Sequence, residues 1–501
     1  MSNIRKQSII SSAIVYFGFA LGIFNTYLFT REGGLTKEEF GVTGLFIAFA
    51  NIMFSVASLG MPAYIHKFYP YYKSHLPDKK NDQLAWALLI PTGGFLVVLL
   101  LGLLLKNIVV DRIFNNSPEL LRYYYWTFPF GYGYTIFLVL EAYAWQNRKA
   151  VLSNILKEVV FRFFTTILIV LLTLHFLKDF DTFVYFYSFS FLALVFYLLV
   201  YFYRKGQLNL NFKVSLVTRK FRHKILAMVR YVWGGSMIFN ISAVFDTIII
   251  AAVLKNGIGA LGIYTVAQNI SSLMQAPQRA VVSAAVGPLS QAWREKDMKK
   301  INKIYHRSSI NQLLFSSLLF CLIWLNFDDG IATFHIQGDY AAAKWVFFWI
   351  GMNKIIDMGT GLNSQIIGTS TYWKFEFTTG LVLLGLALPL NWQLTRYLGI
   401  IGPAIANLIA YTVYNGIRFM FLWNKYRMQP FNWKTLWTVI LALSAYFICF
   451  GLYDAFRGIG WMVVRSLTFI LIFFTGLYWL KLSPDAIPVL DSIRKRLRFG
   501  R

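Results

Sequence analysis

Gln268, Ser272, Gln275 and Arg279 recur at the i, i+4, i+7 and i+11 spacing that places side chains on one face of a helix. They lie in an otherwise apolar stretch, where a polar group facing hydrocarbon costs several kcal/mol unless protein or water receives it. The stripe therefore points to a pathway ending in a guanidinium. Pro277 lies within it, removes one backbone bond and predicts a kink. The blander reading is hydrogen bonding to neighbouring helices. Asn51, Ser55 and Ser58 form a fainter counterpart, for which interhelical packing and substrate contact are equally good accounts.

Asp246 stands alone in FNISAVFDTIII, with at least a turn of apolar residues on either side. Burial can hold such an acid protonated, a cation can pair with it, or it can bind and release H+ or Na+. Asn353, Lys354 and Asp357 share another span, and Lys354 and Asp357, three apart on one face, are expected to neutralise each other; Asp357 is the second ion-coupling candidate. Glu158 and Arg162, four apart, make a favourable helical pair, with Arg162 also a candidate for facing a vestibule. Arg418 and Arg465 fall near span ends and are expected to snorkel to the interface. Tyr123, Tyr124, Tyr125 and Trp126 read as an interfacial aromatic anchor. The charged candidates are mostly cationic, chemistry suited to phosphate or pyrophosphate oxygens.

Signatures of soluble catalysis are missing: no GxxxxGK[ST], no HExxH and no G-x-S-x-G. The six His residues lie in loops or near span ends and receive no role. Cys321 and Cys449, both in apolar runs, offer neither a disulfide framework nor a metal set. No cofactor is expected.

The elements that must hold these residues are set by composition. The chain of 501 residues is 57% hydrophobic and 14% charged, with a net charge of +26. Soluble domains carry about 25% charged residues, so lipid must cover most of this surface. The cations sit in short loops between apolar runs, which makes them topological signals and not a nucleic-acid surface. The opening MSNIRKQSII runs into an apolar stretch without a small-residue cleavage site and reads as a retained first helix.

At about 20 residues per crossing, the apolar runs predict an all-α integral membrane fold of about fourteen spans. Six are Ser8 to Thr30, Gly41 to Ala63, Leu84 to Leu105, Leu121 to Trp145, Leu152 to Leu174 and Thr182 to Tyr203. Eight follow: Tyr231 to Leu254, Ile258 to Val286, Ile310 to Leu325, Ala341 to Ile367, Phe375 to Leu390, Leu398 to Leu422, Leu436 to Tyr453 and Ile459 to Leu480. Arg5 and Lys6, then Lys67 to Lys80, Arg148 and Lys149, Arg204 to Arg230 and Arg294 to Arg307 all fall on one side, which marks the cytoplasm. The opposite loops are short, and an even span count returns the basic tail, Arg494 to Arg501, to the same side.

A shift of 221 residues carries Phe40-Gly41 onto Leu261-Gly262 and Asn51 onto Ser272. The expected organisation is an N-terminal six-helix lobe at 1–205, a basic cytoplasmic linker at 206–230, a pseudo-symmetric six-helix lobe at 231–424, and two extra helices with a basic tail at 425–501. Such repeats suggest a transporter with a central cavity near the mid-membrane.

The stretch from Trp233 to Arg307 resembles the polysaccharide-transporter (O-antigen flippase) branch of the multidrug/oligosaccharidyl-lipid/polysaccharide flippase superfamily, whose fold is shared with multidrug and toxin extruders. The resemblance rests on buried Asp246, the Gly262-Ile263-Tyr264 turn and Pro288; EEFGVTGLFIAFANI and LGIIGPAIANLIAYTVYN extend it over nearly the whole chain. It implies a bacterial inner-membrane flippase that moves an undecaprenyl-pyrophosphate-linked oligosaccharide by alternating access, driven by H+ or Na+, without breaking a bond. It also implies contact with polysaccharide assembly proteins. Arg279, Gln275, Ser272, Gln268, Lys354, Arg162 and Asn51 are the expected cargo contacts. A related lipid II flippase is expected to carry basic residues in its first helix, and none lies between Ser8 and Thr30. A multidrug exporter is expected to have a more apolar, acid-bearing cavity. A membrane polymerase or ligase is expected to have a large outer loop, whereas the longest here runs from about Lys106 to Arg122.

Overall fold

The computed structural model describes residues 2–488 and Asp491, with side chains beginning at Ile14. Arg5 and Lys6 lie outside the described side chains, and the tail Arg494 to Arg501 lies outside the described residues. Among the described residues the fold is all-helical, as lipid demands of a chain whose backbone groups must be satisfied internally. The helices are α1 (Ser2–Thr30), α2 (Lys37–Ala57), α3 (Met61–His75), α4 (Gln83–Leu104), α5 (Pro118–Tyr123), α6 (Thr127–Gln146), α7 (Ala150–Asn154), α8 (Phe161–Thr173), α9 (Phe180–Ser188) and α10 (Ser190–Arg204). They continue as α11 (Leu216–Val253), α12 (Gly257–Ser272), α13 (Ala276–Arg294), α14 (Met298–Thr333), α15 (Ala343–Gly359), α16 (Asn363–Thr369), α17 (Trp373–Leu398), α18 (Gly402–Tyr426), α19 (Trp433–Tyr453) and α20 (Ile459–Trp479).

Eight helical stretches among the described residues are long and apolar enough to cross a bilayer, and the chain is a multi-pass membrane protein. Several expected spans are interrupted. The fifth is broken by a π-helical turn at Ile155–Val160, the sixth at Phe189, the eighth by a 3-10 turn at Leu273–Gln275, and the tenth before α16, where Gly361 adopts φ +68°. Others are longer than hydropathy alone marks them. The ninth reaches Thr333 as α14, so Asp328 and Asp329 are helical and not in a loop. The basic stretch before the seventh is helical from Leu216 and continuous with it as α11.

Local chemistry sets these starts. Thr36 and Glu39 form a capping box on α2, and the Ser215 hydroxyl accepts from Thr218 N–H to begin α11. Asp82, fully buried, accepts from the Ser215 amide at 2.9 Å and the Thr218 hydroxyl at 2.7 Å, which ties the head of α11 to that of α4.

The chain forms two compact units, Met1–Thr265 with Thr395–Ile400, and Val266–Leu394 with Ile401–Arg501. In the first, α2 packs on α6 and α11 around buried Phe46, Phe130 and Phe137. Phe130 stacks on Tyr187 with centroids 5.1 Å apart, a contact that holds α6 against α9. In the second, α14 packs on α15, α19 and α20, and Leu289, Ile301, Tyr305, Ile366 and Leu422 form a buried cluster.

Arg465 corrects its expected interfacial position. Its side chain is 3% exposed and pairs with Asp329, itself 1% exposed, while a second guanidinium N–H reaches the Leu325 carbonyl at 3.2 Å. A charge this deep in a span is tolerated only with a partner, and the helical extension of α14 supplies it.

Candidate functional site

In the first unit the polar candidates lie on α1, α2, α6, α8 and the π-helical turn between α7 and α8. Arg162 donates to Glu158 at 2.9 Å, the predicted helical pair, and also to the Gly18 carbonyl of α1. Room for that guanidinium comes from Gly22, where a Cβ would stand 2.7 Å from the Arg162 nitrogen, while Gly18 admits the Glu158 backbone, whose carbonyl oxygen a Cβ would meet at 2.6 Å. This small-xxx-small spacing lets two membrane helices approach closely. The Arg162 carbonyl accepts from Asn25 at 2.8 Å, and the guanidinium lies 5.4 Å from the Phe19 ring. The π-helical turn contributes Lys157, whose ammonium is 3.4 Å from Glu141 of α6. Such turns often occur at functional positions. Asn51 accepts from the Tyr134 hydroxyl at 3.2 Å and donates to its own helix at Ile47.

Asp246 is buried, as its sequence setting demands, and its carboxylate accepts from the Tyr264 hydroxyl at 2.9 Å. The Thr247 amide and hydroxyl approach its other oxygen at 2.7 and 3.4 Å. Tyr264 follows Gly262, whose missing side chain admits the Lys37 carbonyl of α2. The acid, its hydroxyl donor and the glycine that sets the helix spacing are thus assembled locally from α2, α11 and α12.

In the second unit the expected stripe does not continue as one straight face. The 3-10 turn at Leu273–Gln275 advances about 120° per residue against 100° in an α-helix, so α13 starts with its phase rotated. Ser272 donates to the Asn269 carbonyl at 2.6 Å, Gln268 and Gln275 are half-buried, and Arg279 is exposed. Gln278, one position outside the stripe, is the residue that reaches Asp357, donating at 3.1 Å.

Asp357 also accepts from Asn415 of α18 at 3.0 Å. Two side-chain amides, those of Gln278 and Asn415, thus donate to this carboxylate. Asn415 accepts in turn from Asn363 at 3.1 Å, extending the network to α16. Beside it, Arg418 donates to Glu376 and to the Tyr414 hydroxyl and reaches the Ser364 hydroxyl at 3.4 Å. Its side chain is 4% exposed, a second correction to the snorkelling expectation.

Gln278, Asn415, Glu376, Glu141 and Lys157 are the polar residues that the sequence reading passed over. Gln278 was hidden by the phase slip and Lys157 by the π-helical turn. Glu376 and Arg418 had a usable signal, an acid and a base each within two turns of the basic end of its own span.

A chain so arranged has polar groups held inside its spans and no cluster of His, Cys, Asp and Glu among the described residues that could hold a metal ion. No curated protein matches it. The solved structure titled "Lipid II flippase MurJ, inward closed conformation" is similar in fold, with TM-score 0.72 and 16% identity, covering 94% of this chain and 98% of that one. An inward-facing multidrug resistance MATE family transporter of the MOP superfamily gives TM-score 0.61 and 14% identity over 83% of this chain and 94% of that one. A MOP superfamily transporter from Pyrococcus furiosus gives TM-score 0.52 and 15% identity over 84% and 95%. These likenesses establish a transporter fold. A family model described as "Polysaccharide biosynthesis protein" matches residues 4–293, more than half of the 501, and the chain belongs to that family.

Proposed function

We propose that the chain is a flippase for a lipid-linked oligosaccharide, moving an undecaprenyl-pyrophosphate-linked glycan across a bacterial inner membrane without chemical change to it. The observation that carries this reading is a polysaccharide-biosynthesis family match in a chain with a transporter fold. In this reading both termini are cytoplasmic, the chain divides into six-helix lobes at 1–205 and 231–424, and transport proceeds by alternating access. Arg279 binds the pyrophosphate, supported by its exposure beyond the break between α12 and α13. Gln268, Ser272, Gln275, Lys354, Arg162 and Asn51 contribute to holding the cargo. Asp246 and Asp357 carry the coupling H+ or Na+. The Tyr264 hydroxyl on Asp246 and the Gln278 and Asn415 amides on Asp357 are groups that can rearrange when a cation arrives.

The first helix carries no charged residue between Ser8 and Thr30, which favours a glycan carrier over lipid II. The test is complementation of surface polysaccharide in a strain lacking its own flippase. Arg279→Ala is expected to abolish the polysaccharide at normal membrane abundance. Full polysaccharide from that variant rejects the role of Arg279, and none from the unaltered protein rejects the cargo.

A further inference from the structure

Within the second unit, α14 and α20 leave a crevice of about 300 Å³, at the lower end of the ~300–1,000 Å³ typical of small-ligand sites. Leu314, Phe315 and Leu318 form one wall, and Phe473, Phe474 and Leu477 the other. Both walls belong to helices long and apolar enough to cross a bilayer. The crevice is therefore an apolar slot opening along the flank of two spans.

Its mouth is polar and closed into a collar. Asp485 accepts from both the Arg307 guanidinium and Asn311, the latter at 2.6 Å, and Ser483 donates to Asn311 at 2.6 Å. Exposed cations stand around the collar. Lys303 is one turn before Arg307 on α14, and Lys434 donates to the Lys481 carbonyl at 2.8 Å, two residues before Ser483. Among the described residues these four cations outnumber the acids at this end, Asp485 in the collar and Asp491, which accepts from the Tyr478 hydroxyl at 3.1 Å. Trp433 and Trp479, 77% and 80% exposed, flank the same end of α19 and α20, and exposed tryptophans of this kind sit at the headgroup level.

We propose that this crevice holds one acyl chain of an anionic phospholipid, its phosphate received by Arg307, Lys434 and Lys481. An apolar slot, a cationic mouth and a tryptophan belt at one level match a phospholipid's tail, phosphate and interface in order. The site is separate from the cargo site and does not depend on the identity of the cargo. It makes a bound lipid part of how α20 is held to α14.

Binding to the full-length protein in detergent tests the proposal, read by native mass spectrometry with dioleoyl phosphatidylglycerol, dioleoyl phosphatidylcholine, glycerol phosphate and undecaprenyl phosphate as probes. Phosphatidylglycerol is expected to bind about tenfold more tightly than phosphatidylcholine. Lys434→Gln/Lys481→Gln is expected to erase that preference, and Leu318→Trp, which fills the slot, to remove binding. Equal binding of the two phospholipids, or unchanged binding by the double variant, overturns the proposal. So does displacement by glycerol phosphate alone, which marks a simple phosphate site, or preferential binding of undecaprenyl phosphate at the slot, which marks a cargo site. If Leu318→Trp does not fold, the double variant decides, because both lysines are exposed. Transport is not read here, so a failure leaves the flippase reading standing.

Discussion

Gly41 of α2 and Gly262 of α12, the two positions related by the 221-residue internal shift, pack against each other's helix backbone. A Cβ on Gly41 would lie 2.0 Å from the Ile258 carbonyl oxygen, and one on Gly262 would lie 2.1 Å from that of Lys37 and 3.3 Å from the Gly41 nitrogen. Neither obstacle is a side chain that could swing aside. Gly41→Ala and Gly262→Ala are each expected to cost about 1–3 kcal/mol or more by overpacking, seen as a lower Tm in detergent. Gly416→Ala, with nothing within 4 Å of the added carbon, is the control and is expected to melt like the parent. Equal melting of all three would show that the helices do not cross this closely.

The Asp329–Arg465 pair gives a prediction on the C-terminal helices. With side chains 1% and 3% exposed, neither charge reaches solvent; loss of Arg465 leaves Asp329 only the 59% exposed Arg457 guanidinium at 3.5 Å, and loss of Asp329 leaves Arg465 a buried charge without its acid. Arg465→Leu is expected to destabilise by about 3–5 kcal/mol. Arg465→Leu/Asp329→Leu is expected to recover a large part of that loss. A double variant no better than the single would mean that the two charges do not compensate each other.

These two cases show what a one-dimensional reading reaches. The Gly41 and Gly262 correspondence was legible because small residues at matching repeat positions stand out without knowledge of neighbours. Asp246 was legible because an acid in an apolar run needs partners, although one of them, Tyr264, is 18 residues away on the next helix. Arg465 and Arg418 were misplaced because distance to a span end was the only measure of depth. Their acids, Asp329 and Glu376, lie 136 and 42 residues away. The Gln268 to Arg279 stripe assumed unbroken 3.6-residue periodicity, which the Leu273–Gln275 turn interrupts. The turn falls where the kink expected from Pro277 should, because that residue stands at the start of α13 and its missing N–H cannot bond the Leu273 carbonyl.

For the acids, Asp246→Asn and Asp357→Asn preserve shape while removing charge, so both proteins are expected to insert and fold. Under the proposed coupling, each is expected to lose dependence of transport on an H+ or Na+ gradient in proteoliposomes. The Asp357 network adds a specific corollary. Gln278→Leu removes one of its two amide donors and is expected to weaken the ion dependence without eliminating it. Retention of the full gradient dependence by Asp357→Asn would assign that carboxylate a purely structural task.

Whether the cargo is a lipid-linked glycan is decided by translocation with the purified protein. Proteoliposomes are loaded in one leaflet with fluorescent undecaprenyl-pyrophosphate-linked oligosaccharide, and its arrival in the other leaflet is followed by accessibility to a membrane-impermeant quencher. Protein-dependent translocation is expected, lost in Arg279→Ala. No translocation by the correctly folded protein across a panel of linked glycans, with export of cationic drugs by the same vesicles, would reject a glycan cargo.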